Sequence, residues 1–485
     1  MKSGRNRRSL PQDPGVLQTK LTPPSAWYRA IARPQLVAHL GAPRPLTVIC
    51  APPGYGKTSA AVAWLGTLGL RRAWLSLDRR DDDPARFVRG LAAAIQAVAP
   101  DCGRAVSAMG DRLRADDVPF VIDSLLNDLH ATDAEFALVL DDFQFVADAT
   151  ILGAIEALVE GLTPKLSVVI ITRQEPALPL PRWRLSGRLT ELGQEELRLS
   201  PQEAEAFINA SMGLDLPPAD IAHLHARTEG WIGGLQLAAL SMQGAVDRPA
   251  IIDAFDGRNR FVMDYLIEEV LAAQQPEIKQ FLLQTSILDR MCASLCEAVT
   301  GMPGSAAILD RLERLRLFVV PLDDRREWFR YHALFADLLQ HQLGRSADLR
   351  MSDCRLAASA WYEQRGVVDE AAEYALAAGN AERVAAIVVR HGRDMFLAGQ
   401  SKRLHEVLGQ VPVDLLAANP DHPLHHLKRK VTVRDLRAHR APCRGPTSSR
   451  STGSCWTPAS CARGRTIRPF LGPFITRARR SDTPT

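Results

Sequence analysis

Short apolar runs recur through the first 200 residues, and segments with a helical pattern separate them. The runs are "LTVIC" (46–50), "AWLSL" (73–77), "FALVL" (136–140) and "LSVVII" (166–171). Runs of this length without polar alternation are typical of parallel strands that are buried on both faces. The segment "DPARFVRGLAAAIQAVA" (83–99) is one of the helical stretches between them. This alternation predicts an α/β domain with a doubly wound parallel sheet.

From Ser200 onward the pattern becomes helical. Ser200 is placed as an N-cap, Pro201 as the first helical residue and Glu203 as the partner that completes a capping box. Farther along, within 276–340, the segment "LFVVPLDDRREWFRYH" has a polar, turn-forming centre between two apolar arms. This pattern predicts a β-hairpin, which we interpret as the wing of a winged-helix domain.

Helices of about 12 residues, separated by Gly or Asn, follow in residues 351–416. They are "RLAASAWYEQRG", "VDEAAEYALAAG", "NAERVAAIVVRHG" and "KRLHEVLGQV". Paired helices of this kind are typical of an α-solenoid with TPR-like repeats. The patterns together divide the chain into six segments: a disordered lead (1–20), a nucleotide-binding domain (21–199), a helical domain (200–270), a winged-helix domain (271–345), a helical-repeat segment (346–422) and a basic disordered tail (423–485).

The last segment differs from the rest in composition. From Lys428 to the end there are 14 Lys/Arg and 2 Asp/Glu, against 45 and 53 in the remainder of the chain. One interpretation is a basic tail that binds nucleic acid. The other is a truncated or frameshifted gene, which we favour because the change falls within an unfinished solenoid. In either case we expect the tail to be disordered.

Composition places the chain among soluble globular proteins, with 46% hydrophobic and 24% charged residues. No apolar run reaches the ~18 residues that a transmembrane helix needs. The basic N-terminus has no apolar segment after it and is not a secretory signal. Eight cysteines are scattered without a CxxC pair, which argues against a disulfide framework. We expect a cytoplasmic protein with no membrane partner.

The segment "APPGYGKT" (51–58) carries the clearest chemical signal. It matches the phosphate-binding pattern G-x-x-x-x-G-K-[ST] at every fixed position but the first, and it follows a strand and opens a helix. Permissive glycines let successive backbone N–H groups surround phosphates, lysine reaches the β- and γ-phosphates, and threonine offers a hydroxyl to Mg²⁺. A ligand-free turn is the alternative. The predicted ATP/ADP-binding residues are Ala51, Pro52, Pro53, Gly54, Tyr55, Gly56, Lys57 and Thr58.

Two further strand ends supply candidate catalytic residues. Asp141 and Asp142 end the apolar strand of 136–140, where the first acid would hold Mg²⁺ and the second would polarise the attacking water. Capping of the next helix is the alternative. The strand at 73–77, which lies between the two motifs in sequence, favours the ATPase branch with an extra strand between them. Arg173 follows the next strand and could sense the γ-phosphate, or could be an ordinary surface arginine.

The order of these motifs resembles that of the MalT-like, LuxR-family ATP-dependent transcription regulators, which are signal-transduction ATPases with numerous domains (STAND). The resemblance covers residues 17–420 and includes "AIARPQL", "APPGYGKT", "LVLDDF", "IITR", "TEGWIGGLQLAAL", "FRYHALF" and "AWYEQRG". It implies a nucleotide-binding domain, a helical domain, a winged-helix domain and a helical-repeat sensor arm. It also implies that ADP holds a closed monomer, that ATP and an inducer drive self-association, and that slow hydrolysis resets the switch.

The resemblance also extends the set of site residues. Arg33 in "AIARPQL" lies in the family segment that packs near adenine, and "TEGWIGGLQL" would line the nucleotide from the helical domain. His332 in "FRYHALF" could face ADP, or could be a buried structural histidine. The family ends in a helix-turn-helix DNA reader, and no such pattern is found here. We therefore expect a regulator that keeps its switch, that is at most a slow ATPase, and whose direct DNA binding is doubtful.

Two other functions stay open at this stage. An ATP-hydrolysing nucleic-acid machine would use the same motifs, although the acidic balance before residue 428 argues against it. A nucleic-acid binder acting through the basic tail would show strongly salt-dependent binding.

Overall fold

The computed structural model describes residues 16–24, 31–109, 112–132, 134–163, 165–245, 247–346 and 349–397, with side chains to residue 392. The predicted tail (423–485) and the predicted helix "KRLHEVLGQV" lie outside these residues. In the part of the chain that is described, no helix is both long and apolar enough to cross a membrane.

A parallel sheet forms the centre of the first domain. Five strands are found in the described residues, in the spatial order β2-β3-β4-β1-β5. Their bounds are β1 Leu46–Cys50, β2 Arg71–Ser76, β3 Phe136–Asp141, β4 Leu166–Thr172 and β5 Leu189–Leu192. All four pairings between neighbouring strands are parallel. The predicted α/β fold is confirmed, and β5 is a strand that the sequence pattern did not reveal.

In the sheet, β4 lies between β1 and β3, the two strands that carry the nucleotide motifs. It pairs with β1 on one side and with β3 on the other. The sequence pattern assigned this role to the strand near 73–77, but β2 lies at the sheet edge beside β3. Chain order does not fix spatial order in a parallel sheet, because each crossover can return to either side of the preceding strand. The extra strand therefore exists, but it comes from a later part of the chain.

Helices cover both faces of the sheet. Alternate residues of the central strands enter two separate hydrophobic clusters: Ile49 and Val169 lie in one, and Val48 and Ile170 in the other. Burial on both faces explains why these strands read as unbroken apolar runs. The helices of this domain are α1 Pro34–Leu40, α2 Lys57–Thr67, α3 Pro84–Gln96, α4 Arg104–Met109, α5 Val118–Ala131, α6 Ala149–Gly161 and α7 Leu180–Leu185.

Part of the predicted disordered lead is ordered. Residues Gln18–Leu21 form a 3₁₀ turn in which Leu21 is buried. The Lys20 ammonium forms ion pairs with Asp78 and Asp81. The expectation of disorder is therefore wrong for residues 18–20, because a buried leucine and a paired lysine fix this turn. Residues 1–15 lie outside the described residues.

The helical region begins as the capping pattern predicts. The Ser200 hydroxyl accepts from the Glu203 amide at 3.2 Å, and the Glu203 carboxylate accepts from the Ser200 amide at 2.9 Å. A short helix, α8 Gln194–Leu197, precedes this region, and its own helices are α9 Pro201–Glu205, α10 Pro218–Thr228, α11 Ile232–Met242, α12 Arg248–Asp253 and α13 Arg260–Leu266. Two π-helical turns, Ala206–Ser211 and Ile267–Leu271, extend α9 and α13.

The next region contains the predicted hairpin. Strands β6 Val319–Pro321 and β7 Phe329–Tyr331 pair antiparallel. The carboxylate of Asp323 accepts hydrogen bonds from the amides of Glu327 and Trp328, which fixes the turn between the strands. The helices around the hairpin are α14 Pro276–Thr285, α15 Ala293–Thr300, α16 Ser305–Arg314 and α17 Ala333–Arg345.

Three further helices follow, α18 Met351–Gln364, α19 Val368–Ala377 and α20 Ala381–Leu397. They correspond to three of the four helices predicted for the repeat segment. One hydrophobic cluster runs from the sheet through the helical region to these helices, and it includes Ile49, Trp231, Phe335 and Ala375. The regions after the sheet are thus packed onto one face of the α/β domain.

Candidate functional site

The phosphate-binding segment has the backbone that its sequence predicts. Gly54 and Gly56 both adopt left-handed φ angles, of 76° and 71°, and Gly56 is the N-cap of α2. Ala51 is fully buried, and its amide donates to the carbonyl oxygen of Thr172 at 3.3 Å. The residue that replaces the usual first glycine therefore continues the β1–β4 pairing. A small side chain is sufficient at this position.

Lys57 lies in an environment suited to an anion. Its ammonium donates to the carbonyl oxygen of Pro52 at 3.0 Å. Burial, and next the charge of Arg173, lower the pKa of Lys57 to about 8. A partly buried cation beside a second cation favours an anionic ligand such as a phosphate. The N-terminus of α2 adds a favourable dipole for the same ligand.

Thr58 and Asp141 are brought together as the sequence predicts. The threonine hydroxyl lies 3.2 Å from each carboxylate oxygen of Asp141, which is almost completely buried at the end of β3. Burial, and next the charge of Asp142, raise the pKa of Asp141 to about 6. A hydroxyl and a carboxylate are oxygen donors of the kind that Mg²⁺ takes. These two residues therefore fit the magnesium ion that accompanies a nucleotide.

Asp142 and Arg173 are linked by a residue that the sequence analysis missed. Asp142 has a left-handed φ of 57°, and its carboxylate accepts from the Gln144 amide group at 2.9 Å. The Gln144 carbonyl oxygen accepts from the backbone amide of Arg173 at 3.1 Å. Gln144 thus joins the ends of β3 and β4. Its place two residues after Asp142 was the only signal in the sequence, and no pattern distinguishes it from an ordinary loop residue.

The guanidinium of Arg173 has a second partner that was not expected. It pairs with the carboxylate of Glu269 at 2.6 Å, and both side chains are about 40% exposed (38% and 41%). Glu269 lies in the π-helical turn Ile267–Leu271 of the helical region. The predicted sensor arginine is therefore in contact with a group outside the α/β domain.

The "TEGWIGG" segment packs directly on the phosphate-binding loop. The Trp231 indole N–H donates to the carbonyl oxygen of Pro53 at 3.1 Å, and the Gly233 amide donates to that of Gly54 at 2.8 Å. A Cβ atom on Gly54 would lie 2.8 Å from the Trp231 indole nitrogen, and one on Gly233 would lie 2.8 Å from the same ring. Glycine at both positions allows this close approach.

His332 packs against Trp231, the side chain that contacts the loop. It is fully buried and packs edge-on against the rings of Trp231 and Phe318, with centroid separations of 5.9 and 5.7 Å. Its Nε2 donates to the carbonyl oxygen of Thr228 at 3.0 Å, which leaves Nδ1 without a hydrogen-bond partner. Burial lowers the pKa of His332 to about 4, so the ring is neutral at neutral pH.

Glu229 connects three regions and was not singled out by the sequence. Its backbone has a left-handed φ of 50°. Its carboxylate accepts two hydrogen bonds from the Arg330 guanidinium, at 2.8 and 2.7 Å, and one from the Ala333 amide at 3.0 Å. Arg198 lies 3.6 Å from the same group. Although burial alone would raise it, the pKa of Glu229 falls to about 2 because of Arg330 and its other partners.

Arg33 is hydrogen-bonded to the chain segment that follows β5. Its guanidinium donates to the Glu203 carboxylate at 3.2 Å and to the backbone carbonyl oxygens of Glu196, Leu197 and Arg198 at 2.8–3.2 Å. These four bonds fasten the segment before the phosphate-binding loop to the segment after β5. A contact of Arg33 with adenine stays a prediction.

Parts of this chain are similar in sequence to known proteins. Residues 267–350 match the MalT winged helix domain. The chain is 30% identical over 410 residues to the serine/threonine-protein kinase PknK of Mycobacterium tuberculosis, covering 84% of this chain and 37% of that protein. It is 30% identical over 416 residues to the HTH-type transcriptional regulator MalT of Yersinia pestis, covering 84% and 45%. The chain thus spans less than half the length of these relatives.

Two solved structures are also similar. A Walker-type ATPase of Pyrococcus abyssi is 16% identical, with coverage of 64% of this chain and 95% of that one and a TM-score of 0.46. A STAND protein with a tetratricopeptide-repeat sensor from Pyrococcus horikoshii is 15% identical, with coverage of 85% and 59% and a TM-score of 0.35.

Proposed function

We propose that this chain, which resembles the MalT-like P-loop ATPase regulators, is the nucleotide-binding switch of a transcription regulator. ATP or ADP with Mg²⁺ would bind at the loop after β1, and slow hydrolysis would reset the switch. An inducer at the helical-repeat segment and self-association in the ATP-bound form belong to the same proposal, because the resemblance implies them.

The observation that carries the proposal is the double hydrogen bond between the "TEGWIGG" segment and the phosphate-binding loop. A nucleotide that orders this loop must also act on Trp231 and Gly233, which belong to the helical region. Trp231 in turn packs on His332, at the start of α17 in the segment that matches the winged-helix family. Nucleotide binding and the placement of the winged-helix region would thereby be coupled through a few packed side chains.

Each loop residue would have a separate role in binding. The backbone amides of residues 51–58 would surround the phosphates, and Lys57 would neutralise their charge. Thr58 and Asp141 would hold Mg²⁺, which screens the phosphates and favours departure of the leaving group. Arg173 at the end of β4 would contact the γ-phosphate.

Asp142 would orient the attacking water, and the family resemblance implies that turnover is slow. Its carboxylate is held by the Gln144 amide. This hydrogen bond fixes one carboxylate oxygen and leaves the other as an acceptor for the attacking water.

Nucleotide binding to the full chain tests the proposal. Titration of fluorescent ADP and ATP should give micromolar or tighter binding, and Lys57→Ala should weaken it by about 10- to 100-fold, the loss expected for a charge-assisted contact. Lys279→Ala is the matched control, since that lysine bonds the backbone of its own region at Ala272. Absence of binding by the wild-type chain would reject the nucleotide switch.

A second measurement separates the switch from an ATP-driven nucleic-acid machine. The switch should hydrolyse ATP at well below one turnover per second, and nucleic acid should not stimulate it. Faster turnover that nucleic acid stimulates would favour the machine.

A further inference from the structure

Arg173 and Glu269 form an ion pair between two regions that are 96 residues apart in sequence. Arg173 directly follows β4. It therefore lies at the carboxyl ends of the parallel strands, where the phosphate-binding loop and Asp141 also lie. Glu269 belongs to the helical region. The pair is therefore positioned at the boundary between the nucleotide site and the region that covers it.

The guanidinium of Arg173 lies close enough to Lys57 to act on it. After burial, the charge of Arg173 is the largest influence that lowers the pKa of Lys57. Two neighbouring cations favour an anion beside them, and a nucleotide phosphate would be shared by both. Glu269 supplies that negative charge to Arg173 in this structure.

The segment that carries Glu269 is also connected to the loop. Tyr265 packs on Trp231 with ring centroids 5.9 Å apart, and Trp231 donates to the carbonyl oxygen of Pro53. Glu269 itself lies in the π-helical turn Ile267–Leu271 that continues α13. Turns of this type are uncommon and frequently occur at functional sites. The helical segment that carries Glu269 therefore also contacts the tryptophan that holds the loop.

We infer that Glu269 is a specificity-determining residue that competes with the γ-phosphate of ATP for Arg173. The inference rests on the proposed function. ADP has no γ-phosphate, so it leaves the Arg173–Glu269 pair intact and the helical region in place. Glu269 occupies one of the two terminal nitrogens of Arg173, and a bidentate contact with the γ-phosphate would draw on the same nitrogen, so the two anions weaken each other's hold on the guanidinium.

The exposure of the pair sets the size of the effect. Ion pairs between half-exposed groups contribute little free energy, so their loss changes an equilibrium by a small factor. Removing the Glu269 charge should therefore raise the affinity for ATP by about two- to fivefold. The affinity for ADP should stay at its wild-type value.

The test is a comparison of nucleotide affinities in the full chain with Mg²⁺ present. Glu269→Gln removes the charge and keeps the shape, and Glu268→Gln is the matched control because Glu268 is an exposed neighbour on the same turn. Binding of ADP and of the non-hydrolysable analogue AMP-PNP is measured for each variant, and the thermal midpoint verifies folding. We expect the ratio of the two affinities to shift toward AMP-PNP in Glu269→Gln alone.

A second pair of variants shows whether the effect acts through Arg173. Arg173→Gln should lower the affinity for AMP-PNP, and adding Glu269→Gln to it should change nothing further. Equal shifts for both nucleotides, or equal ratios in Glu269→Gln and Glu268→Gln, would overturn the inference while wild-type binding still supports the proposed function. If the wild-type chain binds neither nucleotide, the inference and the proposed function are both rejected.

Discussion

The indole N–H of Trp231 donates a hydrogen bond to the backbone carbonyl oxygen of Pro53, 178 residues earlier in the chain. A side chain of the helical region thereby holds the loop that is proposed to bind phosphate. The ring also contacts Tyr55 of the same loop and Phe318 near the hairpin. The loop, the helical region and the winged-helix region therefore meet at one tryptophan.

Replacing Trp231 by Phe removes this hydrogen bond and keeps an aromatic ring, although a smaller one. We expect a loss of about 1 kcal/mol from the missing hydrogen bond, together with an altered affinity for nucleotide. Trp64→Phe is the control, since the buried Trp64 donates in the same way to the carbonyl oxygen of Gly41. Both variants should lower the thermal midpoint, but only the first should change nucleotide affinity. Equal nucleotide affinities in the two variants would contradict the role of Trp231.

Gly233→Ala should destabilise the protein even though alanine is the better helix former. A Cβ atom at Gly233 would lie 2.8 Å from the Trp231 ring, so the ring or α11 must move. Gly153→Ala in α6 is the control, because nothing lies within 4 Å of the added atom. That change should be neutral or stabilising by up to about 1 kcal/mol. Thermal unfolding distinguishes the two, and a higher midpoint for Gly233→Ala would show that the close contact is not restrictive.

Asp141→Asn should remove the effect of Mg²⁺ on nucleotide affinity. In the wild-type chain we expect tighter binding with Mg²⁺ than with EDTA, since the carboxylate and Thr58 would both hold the ion. Asp142→Asn should keep this dependence and lose ATP hydrolysis. Titrations with and without EDTA measure the first effect, and phosphate release measures the second. A Mg²⁺ effect that persists in Asp141→Asn would assign the ion to other residues.

His332 should make stability depend on pH between about 6.5 and 4. Its pKa falls from 6.5 to about 4 on folding because of burial, so the unfolded chain takes up the proton first as pH decreases. This contribution is fully present above pH 6.5, declines as pH falls and amounts to about 3 kcal/mol. The thermal midpoint of His332→Gln should fall less steeply over this window than that of the wild-type chain.

The exposed His130 provides the control for that experiment. His130→Gln should retain the wild-type slope. Identical slopes in His332→Gln and the wild-type chain would mean that His332 gains its proton without cost in the folded state.

Local patterns in the sequence predicted local structure well. The run "LTVIC" coincides with β1, and the capping box at Ser200 has both of its hydrogen bonds. Each of these signals lies within a few neighbouring residues. The short "LTEL" of β5 was missed because it is brief and partly polar, and it is paired only with β1 at the sheet edge.

Contacts between residues that are distant in sequence could not be predicted from local patterns. The place of β4 between β1 and β3 depends on how the crossovers return, and the partner of Arg173 lies on a helical turn 96 residues later. The motif residues Lys57, Thr58 and Asp141 could be assigned together only because their spacing follows a known chemical pattern. Gln144 and Glu269 belong to no such pattern, although both contact the candidate site.

The single cluster of buried side chains that includes Ile49, Trp231, Leu334 and Ala375 has a practical consequence for fragments of this protein. A fragment cut at residue 199 would expose the apolar side chains on which the helical region packs and would tend to aggregate, whereas one that begins at residue 200 would lose the surface on which it packs. Chimeric regulators that exchange single regions of this chain would meet the same problem. The part of the chain from the sheet to the repeat helices therefore has to be kept together, and we expect it to unfold in a single thermal transition.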